Sequence, residues 1–90
     1  MISWDEQQRR KEAAIELDFI EAEIALGLTF LDVADTTSVP ETRIRNRCKA
    51  QKAHDAAAGR MTHYSYETKK ERESIEALLL VLTKRLAASA

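Results

Sequence analysis

Residues 26–47 read LGLTFLDVADTTSVPETRIRNR, and they decide how the chain is folded. Gly27 interrupts what is otherwise the pattern of a long amphipathic helix, TTSVP at 36–40 breaks that helix, and Pro40 opens the next one at a position where its missing N–H is not needed. The stretch has two readings. In one, Gly27 marks close packing within a helical hairpin. In the other, residues 29–47 form a DNA-reading helix-turn-helix, with Ala34, Ser38, Val39 and Ile44 at the packing offsets of that motif and Thr42, Arg43, Arg45 and Arg47 free to meet phosphates and base edges.

Working outward, the chain has only two glycines and one proline in 90 residues, each at a place where a helical reading needs punctuation or explanation. The pattern predicts an all-α fold in one domain. Helix 1 is expected over about 3–35, with Ser3 as N-cap and Asp5 and Glu6 in its first turn. Helix 2 is expected over about 39–58, closing near Gly59. Helix 3 is expected over about 68–87, opened by the capping-box pair Thr68 and Glu71, and the terminal AASA is expected to fray. These elements make a three-helix antiparallel bundle with a long first helix.

At about 100° per residue, helix 1 carries two apolar stripes on nearly opposite sides. Ala13, Leu17, Ile20, Ile24, Leu28 and Leu31 form one; Ile15, Phe19, Ala22, Leu26, Phe30 and Val33 form the other. Such a helix must be covered twice, either between helices 2 and 3 or with the help of another molecule. Helix 3 has a strong face in Ile75, Leu78, Leu79, Leu82 and Leu86, expected to take the first stripe. This leaves Ile15, Phe19, Leu26 and Phe30 as the candidate interface. Helix 2 offers Ile44 and Cys48 as a short core stripe and Ala50, Ala53 and Ala57 as small residues, which with Gly27 make a candidate helix-packing seam.

Charge is unevenly spread. Residues 1–38 carry nine acids and three bases, residues 39–60 two acids and six bases, and the remainder four acids and five bases, so net values of −6, +4 and +1 give the total of −1. An acidic first helix beside a basic second one reads as two attracting neighbours, with Arg43, Arg45, Arg47, Lys49 and Lys52 partly paired to helix 1 acids. A pI near 6.1 and an acidic first element count against nucleic acid as a partner.

Three segments carry a resemblance. EIALGLTF at 23–30, KAQKAHDAA at 49–57 and TKKERESIEALLLVLTKRL at 68–86 resemble a group of small bacterial proteins of unknown function with a tetratricopeptide-like hairpin followed by a third helix. Leu26, Gly27 and Phe30 hold the spacing of that repeat's first helix, and Ala50, Ala53 and Ala57 resemble the small positions of its second. The resemblance implies shape and no assigned activity.

Catalytic signatures are sparse. His54 and His63 are the only histidines, at none of the spacings of a zinc hydrolase or a di-iron bundle, and there is no glycine-rich phosphate loop. His54 and Asp55 are adjacent, so on a helix they point about 100° apart, too far to chelate one ion easily. Glu16 and Glu23 share a helix edge without a histidine. Cys48, between Arg47 and Lys49, reads as a small core residue, and as the single cysteine it predicts a reducing compartment. Trp4 is expected to cap the bundle end against His63, Tyr64 and Tyr66. The longest apolar run, ALLLVL at 77–82, is far shorter than a membrane span, and the N-terminal residues lack the apolar core of a signal peptide. The expectation is a non-enzymatic cytoplasmic protein with no cofactor, metal or membrane contact, whose partner is a protein or a second copy of itself.

Overall fold

A computed structural model describes residues 3–88. Three helices account for nearly all of them, with no strand among the described residues: α1 (Trp4–Thr36), α2 (Pro40–Met61) and α3 (Lys69–Ala88). Ala87 and Ala88 belong to α3, while Ser89 and Ala90, where fraying was expected, lie outside the described residues.

The ends follow from local chemistry. Glu6 N–H donates to Ser3 Oγ at 3.2 Å, satisfying one of the backbone donors left open at a helix start. Thr37 N–H closes α1 on the Val33 carbonyl at 3.0 Å. α2 begins at Pro40 without a side-chain cap. At the start of α3, Glu71 N–H donates to Thr68 Oγ1 at 3.0 Å, and the Glu71 carboxylate accepts from Glu67 N–H at 3.4 Å and from the Tyr64 hydroxyl at 3.1 Å. One departure from expectation is Gly59, which does not end α2. Its φ is not positive, and the helix continues so that Arg60 reaches α1 and Met61 packs against the core.

The helices run up, down and up. Lys49 lies over Phe30, Ala53 meets Gly27, and Arg60 bonds Glu16, so α2 descends alongside α1. Leu82 reaches Gly27 and Arg85 reaches Asp32 and Asp35, so α3 rises parallel to α1. The molecule measures 58 × 20 × 17 Å, as expected of elongated helices packed side by side.

The core is Ile20, Ile24 and Leu31 of α1, Ala50 and Ala57 of α2, and Ile75 and Leu82 of α3. Both α2 and α3 therefore share one stripe of α1, which is neither sandwiched between them nor reserved for α3. Leu79 and Leu86 flank this core, but Leu78 stays exposed at the edge of the α3 face. The assignment of Ile44 and Cys48 to the core is also corrected: Ile44 is 62% exposed and Cys48 is exposed. Burial on α2 follows the alanines, and Ile44 lies roughly 120° around the helix from Ala50 at about 100° per residue. A helix can hold one contact face against a bundle this narrow, and the small stripe, which permits the closer approach, takes it.

Candidate functional site

Gly27 stands at the meeting point of all three helices. A Cβ built on it would lie 2.8 and 3.2 Å from the two Leu82 methyls and 3.5 Å from the Ala53 Cβ. Gly27, Ala50, Ala53 and Ala57 are all buried. The seam with α2 is thus joined by a tighter contact with α3 that the glycine–alanine pattern alone did not point to. The signal available in the sequence was Leu82, central in the leucine face of helix 3.

The second stripe of α1 remains largely outside. Ile15 is 69% exposed, Leu26 44% and Phe19 38%, and Val33 is exposed beside them. Phe30 is half-buried and packs against the core from its flank. No helix covers this face; long cationic side chains from α2 lean over it. The Arg60 guanidinium lies 3.8 Å from the centre of the Phe19 ring and gives both Glu16 carboxylate oxygens a hydrogen bond at 3.1 Å. Lys49 Nζ sits 5.6 Å from the centre of the Phe30 ring. Such cation–aromatic contacts are worth about 0.5–1 kcal/mol at exposed sites, and the aliphatic stems shield part of the apolar surface. Between the helices Leu26, Phe30, Lys49, Lys52 and Ala56 line a shallow groove, with Glu23 at its edge.

α1 also outruns its neighbours. Residues 4–12 are all exposed, and the bundle begins only around Ala13. Trp4, 73% exposed, does not cap the bundle end. The α2–α3 connection instead faces Arg9, Glu12, Ala13 and Glu16, forming with Arg60, His63 and Tyr64 an open cleft of about 800 Å³. At 1.5 Å per residue, Trp4 lies about 7.5 Å along the helix beyond Arg9, the outermost α1 residue of this cleft. Tyr64 and Tyr66 pack edge to face on each other, ring centres 4.7 Å apart. Burial, followed by the hydrogen bond to Glu71, pushes the Tyr64 phenol up to about 12.

The arginine stretch has a different surrounding from the one expected. The acids of α1 pair with Arg60 and Arg85, at 3.1 Å to Glu16, 2.9 Å to Asp32 and 3.1 Å to Asp35, and these bonds hold the Arg85 guanidinium above its ordinary pKa. Arg43 turns back to donate to the Thr37 carbonyl at 3.1 Å. Thr42 and Arg47 are half-buried, the Arg47 Nε being buried without a hydrogen-bond partner, and Arg45 is exposed. The four residues considered for DNA do not share a face. The helices that would carry them lie antiparallel along most of α2, where a helix-turn-helix crosses at about 90–120°.

His54 bridges helices. Its ring nitrogens lie 3.1 Å from Asp55 Oδ1 and 3.0 Å from Thr83 Oγ1 on α3, and this bonding, together with Gln51, lowers the Asp55 pKa. Among the described residues no group of three or more His, Cys, Asp or Glu side chains is placed to hold a metal ion, and no helix is long and apolar enough to cross a membrane. No family model matches the chain, and neither a curated protein nor a solved structure matches it.

Proposed function

We propose that the chain is a non-enzymatic helical interaction module whose binding surface is the uncovered face of α1, centred on Ile15, Phe19, Leu26 and Phe30, and whose partner is a second copy of itself. One observation carries the reading: α1 presents apolar side chains on two faces, and its own chain supplies helices for only one. Full burial of a large apolar side chain is worth about 1.5–3 kcal/mol, so pairing two such faces gives a driving force that the isolated chain lacks. The exposed lone Cys48 suits a reducing compartment such as the cytoplasm.

Sedimentation equilibrium on the wild type and on Phe19→Glu/Leu26→Glu tests the reading. The wild type should exceed the monomer mass of 10.2 kDa, and the double variant should return to it with unchanged helical circular dichroism. A wild type that stays monomeric, or a variant that still associates, contradicts it. Duplex-DNA binding with a steep salt dependence that is abolished by charge reversal at Arg43 and Arg47 would move the function to nucleic acid instead.

A further inference from the structure

We propose that the second copy docks antiparallel, α1 against α1, with the two-fold axis passing between residues 20 and 21, so that the free first turns of each α1 lie along the far end of the other. This rests on the reading that a second copy occupies the uncovered face. Three observations fix the arrangement.

The first is periodicity. Ile15, Phe19, Ala22, Leu26, Thr29 and Val33 recur at alternating spacings of four and three, the seam that lets two helices interlock side chains along their length. In the proposed register Ile15 of each copy faces Leu26 of the other, and Phe19 faces Ala22, a large group against a small one.

The second is length. α1 has 33 residues, so it is about 50 Å long, and a strip about 10 Å wide along all of it buries about 1,000 Å² over both copies, the threshold for a specific interface. Sliding by one heptad, to set Ile15 opposite Val33, leaves residues 4–11 beyond the end of the other α1 and reduces the strip to about 750 Å². Full overlap also brings the exposed Trp4 to the exposed Val39 of the other copy, giving the overhang of α1 a surface to lie on.

The third is charge. The centred register puts Lys11 of each copy beside Asp32 of the other, and carries Glu12 to the Lys49 and Lys52 rim of the groove; its one like-charge contact, Glu16 with the other copy's Glu23, lies where Arg60 already bonds Glu16 and where Glu23 shares the groove with those lysines. The shifted register sets Asp18 against Asp32. Parallel pairing sets Glu12 against its own equivalent in the seam and Asp18 beside Glu23. Parallel pairing thus puts like charges within the seam itself, and the shifted register also brings Glu23 to its own equivalent, so both alternatives are disfavoured.

The test uses the full chain carrying Cys48→Ser, which removes the native thiol, with either Ile15→Cys or Leu26→Cys added; both added positions are exposed, so the core is untouched. A short-span bismaleimide should cross-link the two variants when mixed and neither alone, since equivalent Ile15 positions stand about 16 Å apart along antiparallel helices in this register. Cross-linking of the Ile15→Cys chain to itself, or a dimer whose mixture cross-links no better than its components, overturns the antiparallel register and leaves the interaction module standing. A Cys48→Ser chain that sediments as a monomer at every concentration overturns both.

Discussion

Ile15 and Ile20 sit five residues apart on one helix, yet Ile15 is largely exposed and Ile20 is fully buried. The two faces of α1 have similar apolar content, so hydrophobicity does not choose between them. Small residues do. The Ile20 face includes Gly27 and Ala34, where α2 brings its alanines and α3 brings Leu82. The Ile15 face sets its one small residue, Ala22, among Phe19, Leu26 and Phe30, which hold a neighbouring backbone farther off and leave it to side-chain arms. Where helices can come closest the monomer packs. Where they cannot, apolar surface stays exposed.

Substitutions at matched positions on the two faces test this contrast. The largest effect is expected for Gly27→Leu. Its whole side chain would enter space held by the fully buried Leu82, well beyond the extra methylenes for which overpacking costs about 1–3 kcal/mol; chemical denaturation should show severe loss of stability, while Ala22→Leu on the exposed face changes little. Leu31→Ala follows, at about 2–5 kcal/mol for a truncated core leucine. Leu26→Ala, measured at low concentration, should cost less than about 1 kcal/mol, as surface changes commonly do, and weaken self-association instead.

A smaller, conditional effect is expected at Gly27→Ala. Helix propensity favours alanine by about 1 kcal/mol, but the new Cβ presses on Leu82. The two residues should therefore couple in a double-mutant cycle: Gly27→Ala is neutral or destabilising in the wild type and stabilising in Leu82→Ala. Additive effects would show that the contact does not constrain the fold. Arg60→Ala should cost under about 1 kcal/mol, since its ion pair and ring contact are both solvent-exposed.

The last effect is confined to alkaline pH. The Tyr64 phenol ionises near 10 when unfolded and about 12 when folded. The folded state thus favours the neutral phenol; that contribution is complete below pH 10 and is lost as pH rises towards 12. Tyr64→Phe should flatten this part of the stability profile, and Glu71→Gln should bring the Tyr64 titration closer to 10 in an absorbance measurement.

Helix boundaries were legible because Ser3, Pro40 and Thr68 act locally, through caps and a fixed φ, and the structure keeps them within a few residues of expectation. Gly59 misleads because Arg60 and Met61 gain partners on other elements, which local rules do not include. On α2 the seam of Ala50, Ala53 and Ala57 against Gly27 was legible and is buried, whereas Ile44 and Cys48, the more apolar pair, were misassigned to the core because they lie on another side of the helix from the alanines. The two stripes of α1 were legible from periodicity, and the more continuous one was expected to take α3 and leave the Ile15 stripe open, as the burial of Ile20, Ile24 and Leu31 and the exposure of Ile15 and Leu26 have it. The docking of α2 on the same side as α3 was not legible, since it depends on contacts between elements distant in sequence. Trp4 was misplaced because helix spacing alone does not reveal that α1 extends well past the end of α2.

Sedimentation equilibrium of the wild-type chain across a wide concentration range tests the central claim most directly. The proposed pairing of α1 predicts a concentration-dependent rise from 10.2 kDa to twice that mass. A constant 10.2 kDa at the highest concentrations would contradict it, and would mean that the Ile15 face is left uncovered by any second copy.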